Sequence, residues 1–205
     1  MRKIVILLLG CHKSILLNDR VETAVQFLSA LQEQIIQPIH VDWFLSGGIK
    51  DPSISSISEA DIMQKQIYDK LLQIPMQSSI QPPMQTSMQT SIQPPIQPPE
   101  LFDETKLNYR PISWNFIKDT LATNTAENFI IANKTIDFDK YSDIYVVTSN
   151  WHHNRAKQIA DLTIPTNKFK WILGEKEYEN FRQMEAIHIR NVYNDVQKAL
   201  NKYNL

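Results

Sequence analysis

The chain has 205 residues, 42% of them hydrophobic, enough to bury one sizeable core and to exclude a disordered chain. A formal net charge of −1, with basic residues scattered and forming no run, argues against nucleic acid or an anionic membrane surface as partner. One cysteine, Cys11, excludes an intrachain disulfide and fits a reducing compartment.

"MRKIVILLLGC" at the start imitates a lipoprotein signal, but its apolar stretch, Ile4 to Leu9, is shorter than a secretory h-region of about 7–15 residues. A buried parallel strand accounts for it better, so the expectation is a cytoplasmic protein without a membrane anchor. A helix follows over "LNDRVETAVQFLSALQEQI", with Val21, Val25 and Leu28 at helical spacing. "IHVDWFLSGG" reads as a second strand ending in paired glycines. "SEADIMQKQIYDKLL" is a second helix, with Ser58 as N-cap and Asp61 closing a capping box.

Residues 76–99 then divide into six tetrads, MQSS, IQPP, MQTS, MQTS, IQPP and IQPP. Six of the eleven prolines lie there, which forbids a helix or a central strand. A partner-docking segment and a tolerated surface insertion both fit; the second is the plainer, because long insertions cost little closure entropy.

Beyond the tract come a strand "PISWNFI", a helix "TAENFIIANKTI", a strand "DIYVVTS", a helix "WHHNRAKQIADLT" and a strand "KFKWILG". One amphipathic helix from Phe181 to Tyr203 closes the chain. Five strands, each followed by a helix, predict a single α/β domain over 1–205: a Rossmann-like three-layer sandwich with a five-stranded, mainly parallel sheet, expected in the order 3-2-1-4-5.

Ligands of such sheets bind past the carboxyl ends of the strands. Those ends carry Gly10, Cys11 and His12; Ser46, Gly47 and Gly48; Asp119, Thr125, Glu127 and Asn128; Thr148, Ser149, His152 and Arg155. Glu59 opens the second helix, and Arg20 lies early in the first. The strand starts, with Lys3, Asp143 and Lys168, look ordinary by comparison.

Gly47 and Gly48 would let backbone N–H groups approach a phosphate, or would only serve a turn needing positive φ. Glu59 and Glu127 would act on a ligand, or would only complement helix dipoles. His152 and Arg155, three apart, share one helical face, pairing an imidazole with a cationic fork. His153 points elsewhere. No metal site is expected, since adjacent histidines cannot both face one ion and no Cys/His set completes it. Neither GxGxxG nor a Walker A pattern is present.

"LLLGC", Arg20, "SGG", "SEADIM", "TNTAEN" and "VVTSNWHHNRA", taken in this order, resemble the family called domain of unknown function 218, over all but the tetrad tract and the last helix. The resemblance implies a Rossmann-like fold with a polar cleft and an unassigned activity. Its soluble, YdcF-like branch is associated with S-adenosylmethionine, and its anchored branch with envelope polysaccharide; the missing anchor places this chain nearer the first. Trp151 stands where a tyrosine is usual, Asp119 replaces a commoner glutamate, and the tract lengthens a loop that could reshape the cleft mouth.

The expectation is an enzyme, a transferase or hydrolase, or else a non-catalytic sensor, for a nucleotide-like or phosphate-bearing small molecule. Gly10, Cys11, Arg20, Ser46, Gly47, Gly48, Thr125, Asn128, Thr148, Ser149 and Arg155 would bind it. His152, Glu127 and Glu59 would do the chemistry, His152 as general acid/base.

Overall fold

The computed structural model describes residues 1–11, 13–34, 37–49, 56–73, 112–164, 168–176 and 179–204. His12 and the tetrad tract lie outside them. Five strands, β1 (Arg2–Leu9), β2 (Ile39–Ser46), β3 (Ile112–Asp119), β4 (Asp143–Ser149) and β5 (Phe169–Gly174), form one sheet in the order β3-β2-β1-β4-β5, with every pair parallel. The helices are α1 (Ser14–Gln34), α2 (Glu59–Gln73), α3 (Thr125–Thr135), α4 (His153–Thr163), α5 (Glu179–His188) and α6 (Val192–Lys202).

Strand pleat explains the two cores, because successive side chains leave opposite faces of the sheet. Ile4, Ile6 and Leu8 of β1 pack with Trp43 of β2 under α1 and α2. Val5, Leu7 and Leu9 pack with Phe44 and Val146 under α3, α4 and α6. Both faces are therefore covered, which is why β1 reads as an unbroken apolar run rather than an alternating one.

The sequence expectation of one closing helix is corrected. The chain breaks at a 3₁₀ turn, Ile189–Asn191, between α5 and α6. The two pieces pack on different things: α5 on the turn that follows β4, α6 on α3 and α4. Ser58 caps α2 by accepting a hydrogen bond from the Asp61 backbone N–H at 3.0 Å, and its hydroxyl donates to the Asp61 carboxylate at 2.6 Å.

The amino edge of the sheet is not ordinary. Asp42, 3% exposed in mid-strand, accepts from Tyr141 Oη at 2.7 Å, Lys3 Nζ at 2.9 Å, Asn115 Nδ2 at 3.2 Å and His40 Nε2 at 3.2 Å. Burial pushes its carboxyl up, but Lys3, Tyr141 and Asn115 together hold it below the usual aspartate value. Beside it lies a cavity of about 410 Å³ lined by Lys3, His40, Ile117 and Lys140 among others. Every Asp42 oxygen already has donors, so this network fastens β1, β2 and β3 together.

Candidate functional site

Parallel register brings Leu9, Ser46 and Asp119 level at one edge, and sets Ser149 beside Gly174 at the same edge. Strand order reverses between β1 and β4, where an open α/β sheet leaves a crevice. Arg20, from the second turn of α1, bridges the two strand ends there. Its Nη1 donates to the Leu9 and Gly10 carbonyls, each at 2.9 Å, and its Nε donates to Ser149 Oγ at 3.1 Å.

The side chain is not exposed, as an early helical arginine would be by default; Arg20 is 2% exposed. Its hydrogen-bond partners among the described residues are all neutral oxygens. Burial pulls the guanidinium pKa down, while Cys11, Glu59 and Glu185 oppose that at longer range. Carbonyl oxygens orient the buried cation, and the Glu59 and Glu185 carboxylates offset its charge only through space, without a direct ion pair to Arg20 among the described residues.

His152, 3% exposed, ends a 3₁₀ turn, Asn150–His152, that links β4 to α4. Its Nδ1 lies 2.8 Å from Glu185 Oε1 and its Nε2 lies 3.2 Å from Thr125 Oγ1. An ionised carboxylate only accepts, so Nδ1 carries the proton and Nε2 presents its lone pair. Arg155 Nη2, 3.1 Å from the same Nδ1, is then an electrostatic neighbour, while Arg155 Nε donates to Glu185 Oε1 at 2.8 Å.

Burial lowers the His152 pKa to about 4, Glu185 pulling it up and Arg20 and Arg155 pushing it down. For Glu185, burial pushes up, but His152 and Arg155 outweigh it and hold the carboxyl below its usual value. At neutral pH the pair is therefore a carboxylate orienting a neutral imidazole, the arrangement of a general base. Trp151 stacks on Phe181, with ring centroids 5.3 Å apart, and so helps α5 deliver Glu185.

Both sequence readings of the glycines are corrected. None of the four glycines has positive φ. The Gly47 and Gly48 N–H groups donate to the Asp119 and Ala122 carbonyls at 3.0 and 2.7 Å, and that of Gly10 to the Ser46 carbonyl at 2.6 Å. These amides are spent inside the protein and hold no anion. The glycines are there for space: a Cβ on Gly10 would strike Glu59 Oε2, one on Gly47 would come within 2.6 Å of that same atom, and one on Gly48 would lie 2.8 Å from the Ala122 carbonyl. Glu59 thus rests on two glycine backbones beside Arg20.

Other expected residues serve as ties. The Ser46 hydroxyl donates to Asp119 Oδ2 and also lies 3.0 Å from Asn128 Oδ1, which joins β2, β3 and α3. Glu127 is a tie as well. Its carboxylate accepts from the Thr123 N–H at 2.9 Å and from Lys202 Nζ at 2.9 Å, clamping α6 to the start of α3. Thr148 is fully buried, and its hydroxyl has no hydrogen-bond partner among the described residues. Cys11 is partly exposed. His153 turns its ring onto Trp171 at 4.9 Å, away from His152's partners.

The structure therefore gathers Gly10, Cys11, Arg20, Glu59, Thr125, Ser149, His152 and Arg155 around the crevice, and adds two residues that sequence reasoning passed over: Glu185, and Asp19, whose carboxylate lies against Gly174 at the end of β5. Among the described residues no group of three or more His, Cys, Asp and Glu could hold a metal ion, and no helix is long and apolar enough to cross a membrane. No family model, curated protein or solved structure matches the chain.

Proposed function

We propose that the crevice between β1 and β4 binds an anionic small molecule, nucleotide-like or phosphate-bearing, and that His152 acts on it as a general base in a transfer or hydrolysis reaction. The observation that carries this reading is Arg20: a buried cation held by neutral oxygens at the switch point of the sheet. Arg155 adds a second cation beside it. The likeness to domain of unknown function 218 adds S-adenosylmethionine-type compounds to the ligands worth testing.

A non-catalytic sensor is the second reading. It is favoured by Thr125, whose hydroxyl already faces the His152 lone pair at 3.2 Å. On the enzymatic reading that hydroxyl gives way to a ligand group or water.

Calorimetric titration with inorganic phosphate and AMP tests the anion site. Arg20→Met should weaken both by at least tenfold, and phosphate should raise the melting temperature of the native protein more than chloride of equal ionic strength. Unchanged affinity in the variant together with no phosphate-specific stabilisation would overturn the reading. Mass spectrometry of phosphate esters incubated with native protein and with His152→Ala separates turnover from mere binding.

A further inference from the structure

We infer that Asp19 accepts hydrogen bonds from hydroxyl groups of the bound ligand, which makes the ligand a sugar phosphate or nucleotide; this rests on the anion-binding reading above. Asp19 precedes Arg20 on α1 and is 4% exposed. Its Oδ2 is buried, with no hydrogen-bond partner among the described residues. Lys176 Nζ stands 3.8 Å from Oδ1, beyond hydrogen-bond length, and lies nearer Glu22 Oε2, at 3.6 Å. Burial holds the Asp19 carboxyl above its usual value, with Lys176 and Arg20 opposing that at longer range and Glu22 adding to it, so a short donor is what the carboxylate lacks. A hydroxyl meets that need better than an ammonium group would.

Position gives the ligand its length. Asp19 Oδ2 lies against Gly174, only 2.6 Å from where a Cβ would stand, so the glycine makes room for the carboxylate. Gly174 is the register partner of Ser149, whose hydroxyl accepts from Arg20. Cation and carboxylate therefore flank one rung of the sheet at its carboxyl edge. With neighbouring strands about 4.8 Å apart, an anion at the β1–β4 crevice and a donor over β5 are separated by roughly one to two strand spacings. That is the span from the phosphate to the ring hydroxyls of a pentose 5-phosphate. A buried acceptor left without a donor is costly, and a vicinal diol supplies two.

Titration calorimetry with inorganic phosphate, AMP, 2′,3′-dideoxy-AMP and phosphoethanolamine tests this. Native protein should bind AMP at least tenfold more tightly than the dideoxy compound, and Asp19→Ala should bring the two within twofold. Asp19→Asn keeps the shape and one acceptor oxygen, should give an intermediate ratio, and stands in if the alanine variant shows no cooperative melt. Equal binding of AMP and dideoxy-AMP by native protein, with phosphate binding still dependent on Arg20, would sink the Asp19 assignment and leave the anion site standing. Phosphoethanolamine binding more tightly than AMP, and losing that advantage in Asp19→Asn, would also overturn the hydroxyl assignment. Binding of none of the four compounds would remove both readings.

Discussion

A neutral imidazole held against a carboxylate gives His152 a definite response to acid. Its folded pKa of about 4 lies below the ordinary histidine value, so between those two points the unfolded chain takes up a proton that the folded one refuses. Stability must then fall as the pH drops, by about 2 kcal/mol from this residue between pH 7 and pH 5. His153, also lowered by burial, acts in the same direction. Urea midpoints at the two pH values should show the loss in native protein and a shallower one in His152→Asn. Glu127 is predicted to matter for stability rather than affinity. Its carboxyl is held below the usual value because Lys202 and Thr123 outweigh burial. Glu127→Gln should cost about 1 kcal/mol, kept low by the half-exposed Lys202, with phosphate affinity within twofold of native. Why Arg20 and Glu185 differ in legibility is also a residue-scale matter. Arg20 sits close in sequence to the first strand's end, so its neighbourhood can be read along the chain. Glu185 reaches His152 from 33 positions away, and nothing in "FRQMEAIH" separates it from the glutamates around it.

Secondary-structure elements were legible because each has its own period. β1 is apolar at every position from Ile4 to Leu9 since both faces are covered, whereas α1 shows Val21, Val25 and Leu28 on one side. The break between α5 and α6 was not, since apolar residues continue through Ile187 and Val192 in the sequence, although only Val192 is buried and Ile187 is exposed. Asp42 was passed over for a related reason. One acidic residue in "IHVDWFLS" looks like a solvent-facing strand position until Tyr141, 99 residues away, is seen to donate to it. Two predictions belong here. Gly47→Ala should lose about 1–3 kcal/mol, because the new methyl meets both Glu59 Oε2 and Cβ; in a double-mutant cycle with Glu59→Gly the two losses should be less than additive. Glu185→Ala should speed amide hydrogen exchange across α5 before α6, since α5 packs on the turn that carries His152 while α6 has α3 and α4.

At the scale of the whole molecule, the sheet sorts its tasks between two edges. Arg20, His152 and Glu59 gather at the carboxyl edge, and the Asp42 network fastens the amino edge. α2 begins beside Gly47 and runs 15 residues, roughly 22 Å, back to the amino edge, where Leu71 joins the same apolar cluster as Ile39 and Ile112. β3 starts at that edge too, level with the start of β2. The described residues that flank the tract, at the end of α2 and the start of β3, thus lie at the end of the sheet away from Arg20; the expectation that the stretch between them reshapes the cleft mouth falls outside the described residues. Removing residues 76–99 should shift the melting temperature by less than about 3 °C, a change equivalent to roughly 1 kcal/mol, and leave phosphate affinity as it was. A larger drop in either would mean that the stretch does more than connect. A labelling position follows from the run of α2: a fluorophore on the exposed Leu72 would sit at the far end of that helix from Arg20 and report on unfolding of the sheet without touching the proposed site.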